Sequence, residues 1–115
     1  MNNVKVYVGN PSTREVRVVE PSDSRDGEKT YQLNPRFDIV NHSPDGFNWG
    51  YGGSGPSQLA FAIMSDLLKD DQKAMRTYQE FKNHFLVKAD MNSILVIGAS
   101  DIEMWLMSKE QNGSE

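Results

Sequence analysis

Val4, Val6 and Val8 alternate with Lys5 and Tyr7, and Val16 and Val18 alternate with Glu15 and Arg17, the period of two expected of half-buried strands. Gly9-Asn10-Pro11-Ser12-Thr13 between them is turn chemistry, so the two runs predict a hairpin that Pro21 ends. The polar run from Ser22 to Thr30 offers nothing to a core and predicts an exposed, mobile loop at about 22–30. Tyr31 to Leu33 and Phe37 to Val40 read as two further short strands, with Pro35 bending the chain between them. Beyond, the period changes. Leu59, Ile63 and Leu67 form a helical stripe that Ala60, Phe61, Met64 and Leu68 widen, predicting a deeply buried helix over 57–69 with Pro56 in its first turn and Ser54 or Gly55 as cap. Asp70-Asp71 opens a second helix to about Val87 or Lys88, with Ala74, Tyr78, Phe81 and Phe85 inward and Lys73, Arg76, Glu80 and Lys82 solvated; the two helices form an antiparallel pair. Ile94 to Ile97 predicts a strand, and Ser100-Asp101-Ile102-Glu103 a capping box that opens a last helix to about Met107, leaving a frayed tail at about 109–115. The order β-β-β-loop-α-α-β-α predicts a single α+β domain over 1–115, with a small antiparallel sheet of three to four short strands packed against three helices.

Composition narrows the function classes. At 115 residues and 13.0 kDa the chain builds one core. Its longest unbroken apolar run, Leu59 to Met64, falls far short of the ~20 residues that cross a bilayer, and Met1 to Lys5 has no apolar leader core, so a cytoplasmic protein with no membrane partner is expected. With no cysteine, disulfides, thiolate metal sites and cysteine nucleophiles are excluded. A net charge of −4 disfavours general nucleic-acid binding. Two Trp, four Tyr and five Phe are more large apolar groups than so small a fold hides, which predicts a two-fold homodimer.

The most informative stretch is Gly46 to Ser65, which carries no charged side chain, and five of the nine glycines (Gly46, Gly50, Gly52, Gly53 and Gly55) fall within its first ten residues. Such density calls for positive φ or for close approach of another group to the backbone, and predicts a rigid loop dominated by positive-φ glycines. The run Asn41 to Ala60, containing His42-Ser43-Pro44-Asp45-Gly46-Phe47, Trp49-Gly50-Tyr51-Gly52-Gly53-Ser54-Gly55-Pro56 and Gln58-Leu59-Ala60, resembles the signature of an uncharacterised family of small phage and mobile-element proteins of bacteria and archaea. The resemblance extends from Tyr7-Val8-Gly9 through Tyr78-Gln79-Glu80-Phe81-Lys82 to about Trp105. It implies a viral or mobile-element origin and a single domain, and it implies no established chemistry.

Read as chemistry, the block holds His42, Ser43 and Asp45, with His42 and Asp45 the candidate acid and base of a hydrolase-like enzyme. The structural alternative is that Ser43-Pro44-Asp45-Gly46 forms a turn and His42 a structural hydrogen bond. A ligand or partner site would draw on His42, Trp49, Tyr51, Gly52, Gly53, Ser54 and Gln58. Phe47, Trp49 and Tyr51 would share one face of an extended stretch, and unpaired Ser57 and Gln58 amides at the helix start would favour an anionic, nucleotide-type ligand. Walker and dinucleotide patterns are absent, His42 and His84 have no metal-ligand spacing, and neither a metal nor a cofactor is expected. The leading expectation is a small non-catalytic accessory protein that binds a host protein, in a counter-defence role, with the anion binder and the His42/Asp45 enzyme as alternatives.

Overall fold

Alternation on β1 (Val6–Gly9) and β2 (Val16–Glu20) produces the expected hairpin, with Tyr7 opposite Val18 and the Asn10 amide donating to Glu15 O at 2.9 Å. The computed structural model describes residues 4–21 and 29–113, with side chains as far as Lys109. β3 (Lys29–Gln32) lines up beside β2, and β4 (Leu95–Gly98) on the far side of β1, giving an antiparallel sheet in the order β3-β2-β1-β4. Helices α1 (Ser54–Leu68), α2 (Asp71–Phe81) and α3 (Ala99–Gly113) complete the α+β fold.

β1 turns its non-valine face inward, whereas β2 buries its valines. Lys5, Tyr7 and Gly9 point into the core with Val16 and Val18, Val6 and Val8 are half-buried on the other face, and Val4 is exposed. Two contacts set this register. A Cβ on Gly9 would lie 2.8 Å from the Trp49 ring, so glycine lets the indole lie against β1, and Asp66 on α1 neutralises the inward Lys5 at 3.1 Å.

α1 is buried all round from Gly55 to Ser65 rather than along a stripe, because the sheet, α2 and the loop over 34–49 enclose it. Lys69 in the left-handed region closes it, and Asp70 caps α2 by accepting from the Gln72 and Lys73 amides, so a two-residue joint folds α2 back along α1. The second helix does not run on to Val87 as an α-helix. Lys82–Leu86 forms a π turn, with the Val87 amide on Lys82 O at 3.0 Å. The extra residue converts the five-residue step from Phe81 to Leu86 into one face, so Leu86 is enclosed while Phe85 is only half-buried.

Other expectations need correction. Phe37 to Val40 is a turn, not a strand: Arg36 has φ 61°, and its carbonyl accepts from the Ile39 and Val40 amides. Lys29 and Thr30, assigned to the mobile loop, start β3; the rest of that loop, 22–28, lies outside the described residues. Ser100 sits inside α3 rather than capping it, because the helix starts at Ala99, whose amide donates to Lys5 O at 2.8 Å. α3 continues to Gly113, past the expected end near Met107.

Candidate functional site

Within the glycine-rich block, Gln58 is the organising residue. Fully buried on α1, it spends all four of its hydrogen-bonding positions on the loop above it. Its Oε1 accepts from the His42 amide at 2.8 Å and the Ser43 amide at 3.2 Å, and its Nε2 donates to Pro35 O at 2.7 Å and Val40 O at 3.0 Å. His42 Nε2 shares a 2.7 Å hydrogen bond with the Tyr78 hydroxyl on α2. Asp45 is exposed and lines a cleft of about 310 Å³ with Arg14, Phe37 and Phe47, a cleft His42 does not border. No hydrogen bond joins the two candidate catalytic residues among the described residues. The structural partner of His42 is thereby assigned to Tyr78.

The aromatic residues do not share a face. Trp49 is wholly enclosed, with the Arg14 guanidinium 4.6 Å from its ring centroid on one side and Gly9 against it on another, which leaves no surface for a stacking ligand. Tyr51 is 40% exposed and Phe47 half-buried. Nor do positive-φ glycines dominate the loop: between Gly50 and Gly55 only Gly50 has one, at 91°, while Gly46 reaches 108° just before it. The other requirement, close approach, governs Gly53 and Gly55 and adds to Gly50, while Gly52 meets neither. A Cβ would meet Met91 Cβ at 2.5 Å from Gly50, the Tyr51 ring at 2.3 Å from Gly53 and Asn48 Cβ at 2.6 Å from Gly55. The Gly50 amide donates to Leu86 O at 2.9 Å, so the end of the π turn clamps the loop. α1 begins at Ser54 with Gly53 as its cap, earlier than expected, and the Ser57 amide already donates to Gly53 O at 3.2 Å. The donor assigned to an anion is therefore committed to the helix. Gly52 and Ser54 are exposed and Gly53 half-buried at its rim.

Two polar clusters escape sequence reasoning because their members are far apart along the chain. Asp66 accepts from Lys5 Nζ at 3.1 Å, the Tyr7 hydroxyl at 2.7 Å and the Tyr31 hydroxyl at 2.9 Å. Burial first, and the bond to Asp66 second, push both phenols above the ordinary tyrosine range. Burial pulls the Lys5 ammonium down, but its hydrogen bonds with Asp66 and Tyr31 outweigh that and hold it above its ordinary value. Nearby, Arg36 reaches Asp38 at 3.0 and 3.1 Å, Asp71 at 3.0 Å through two nitrogens, and Ser65 Oγ. Hydrogen bonds from Arg36 hold both Asp38 and Asp71 below the usual carboxylate range. Every donor of that guanidinium is engaged, so the cleft of about 330 Å³ beside it is walled by a structural clamp.

A groove between α2, the π turn and α3 is differently made. Its first stretch, about 270 Å³, has Leu68 and Leu106 as floor and Lys73, Arg76 and Lys109 as walls. Lys109 joins this to a second stretch of about 350 Å³, where His84 and Lys88 meet Trp105. His84 stacks on Trp105 with centroids 5.6 Å apart and planes 23° from parallel, and Lys109 Nζ lies 5.5 Å from the same ring centroid and 2.7 Å from Glu80 Oε2. Lys73, Arg76 and Lys88 make no ion pair among the described residues. Sequence periodicity assigned Lys73 and Arg76 to a solvated face; the helix that covers part of that face comes from 99–113 and carries no local signal of where it packs.

Among the described residues no helix is long and apolar enough to cross a membrane, and no group of three or more His, Asp or Glu side chains is placed to hold a metal ion. No curated protein and no solved structure matches the chain. A model described as a family of unknown function, DUF6166, matches residues 7–108, from β1 into α3 and close to the extent anticipated from the glycine-rich block, and the chain belongs to that family.

Proposed function

We propose that this protein acts by binding, as an accessory protein of a phage or mobile element, and that it docks an acidic amphipathic helix of a host protein between α2 and α3. The observation that carries the reading is the groove itself: an apolar floor of Leu68 and Leu106 under the cationic walls of Lys73, Arg76 and Lys109, on a chain of net charge −4. Apolar floors with charged rims suit helix-in-groove recognition, where leucines fill the floor and flanking carboxylates meet the rim. The Glu80 carboxylate among the cations and the negative overall charge favour a protein partner over a nucleic-acid backbone. A counter-defence role follows if the bound host protein belongs to a defence system.

Half-buried Trp105 beside the groove supplies the readout. A synthetic amphipathic helix with a leucine stripe flanked by glutamates is expected to change its fluorescence saturably, and more weakly as salt rises. Lys73→Glu combined with Arg76→Glu should weaken that binding by ~10-fold or more, since several rim charge pairs change sign at ~0.2–1 kcal/mol each. A flat titration, equal binding of the same peptide with lysines in place of glutamates, or tighter binding of a single-stranded oligonucleotide refutes the reading.

A further inference from the structure

The sheet ends on two unlike edges. β3 presents exposed Lys29, Thr30 and Gln32, the polar and charged side chains that discourage strand pairing. β4 has no such guard: no charged residue lies between Asp90 and Asp101, no proline interrupts it, and Ile94 and Val96 are 63% and 64% exposed. Hydrogen bonding alternates along an antiparallel strand. The Ala99 amide donates to Lys5 O, and Tyr7 lies opposite Ile97 in the same register, so Leu95 and Ile97 turn their backbone groups toward β1. Ile94 and Val96 therefore turn theirs to the open edge, and Gly98 its amide, its carbonyl being committed to the first turn of α3. On the outer face beside that edge Val96 lies opposite Val8, an apolar pair that ends at Arg17 on β2.

We propose that β4 pairs with β4 of a second copy of this chain, antiparallel about a two-fold axis at Val96, joining two four-stranded sheets into one of eight strands. A register centred on Val96 pairs the two Val96 residues with each other and sets the carbonyl of Ile94 against the Gly98 amide of the partner copy. Charge and shape select the second copy as occupant: a strand with no charged residue from Met91 to Ser100 meets its own copy without repulsion, and the Val8–Val96 pair of one copy continues into the Val96–Val8 pair of the other. The polar β3 edge is a poor match for β4, so the pairing closes at two copies instead of growing into a filament. The inference is independent of the α2–α3 groove, which lies on the helical side of the sheet.

Sedimentation equilibrium should give twice 13.0 kDa for the natural chain. Val96→Lys and, separately, Ile94→Lys should raise the dimer dissociation constant by ~10-fold or more with an unchanged circular dichroism spectrum, because both side chains stand in solvent in the single chain. As the chain has no cysteine, single-cysteine variants report the register directly. Val96→Cys should form an interchain disulfide under mild oxidation, whereas Met104→Cys, 68% exposed on α3, should not. A monomer at every concentration, a dimer unaffected by both lysine substitutions, or equal crosslinking at the two cysteines overturns the proposal.

Discussion

Gln58→Leu tests the claim that one buried amide holds the loop over 34–43 to α1. The substitution keeps an apolar side chain of similar size on the helix and removes four hydrogen bonds, two to amides and two to carbonyls. At a net ~1 kcal/mol per bond the loss is about 4 kcal/mol, and rehydration of His42 and Ser43 near the surface lowers it toward ~3. A domain of this length is stable by about 6–17 kcal/mol, so a fifth to a half of the total is at stake. With a urea slope of ~1.5 kcal/mol/M, the unfolding midpoint should fall by ~2 M. Gln58→Glu sharpens the test by placing a carboxylate oxygen where Pro35 O and Val40 O expect a donor. Its folded pKa must rise above the ordinary ~4.3, so that variant should be least stable at neutral pH and recover as pH falls toward the unfolded value, where the neutral acid donates again. Exposed Gln79→Ala is the control, expected within ~0.5 kcal/mol of the natural chain. A midpoint shift under ~0.5 M for Gln58→Leu, or no pH dependence specific to Gln58→Glu, would show that the loop stands without this amide.

Gly50→Ala should destabilise by ~2–4 kcal/mol in chemical denaturation, because it combines φ 91° with a Cβ set 2.5 Å from Met91 Cβ and 3.0 Å from Ala89 O; Gly46→Ala, at φ 108° in open space, should cost only ~1 kcal/mol. Above about pH 10 the ordinary tyrosine ionises, whereas Tyr7 and Tyr31 are held neutral in the fold, so the stability they represent is whole below pH 10 and is lost as pH rises through their raised values. Tyr7→Phe with Tyr31→Phe should therefore remove late-ionising phenolate from an ultraviolet titration and flatten the alkaline limb of the stability curve. In acid the sign reverses: Asp38 and Asp71, held low by Arg36, contribute above pH ~4 and cease to as pH falls through their lowered values, a change that Arg36→Gln should abolish. His42→Ala should cost ~1 kcal/mol through its bond to Tyr78 and leave peptide binding at the α2–α3 groove unchanged by fluorescence titration.

Local physics was legible wherever one element answers to its own residues. The hairpin follows from alternation plus turn chemistry, α1 from helical spacing behind Pro56, and the start of α2 from Asp70, whose carboxylate caps it. The π turn also left a trace. Phe81 and Leu86 are five apart, one residue too many for an α-helical face, and the chain takes up the surplus in a wider turn rather than hide Phe85. Sequence alone points Gln58 toward a ligand, and it does present paired donors and acceptors, yet they are directed to Pro35, Val40, His42 and Ser43. A side chain with that hydrogen-bonding capacity looks the same in sequence whether its partner is a ligand or the chain's own backbone.

The face that β1 buries shows why the rest was hidden. A run of valines alternating with Lys5 and Tyr7 reads as valines inward, since burying a lysine ordinarily costs more than exposing three valines. That comparison treats the strand alone. Asp66, far along the chain, gives Lys5, Tyr7 and Tyr31 a common acceptor, and Gly9 lets Trp49 lie flush against the strand, so the polar register becomes the packed one. Val6 and Val8 then lie half-buried on the outer face, with Val8 opposite Val96 on the edge strand. The Val8–Val96 pair on the outer face is thus a consequence of how the Asp66 cluster settles the face of β1, and disrupting the cluster should perturb self-association as well as stability. Asp66→Asn, which keeps the acceptor oxygen but removes the charge that neutralises Lys5, should weaken both, measured by urea unfolding and sedimentation equilibrium. Loss of stability with an unaltered dimer constant would separate the edge from the core and refute the coupling.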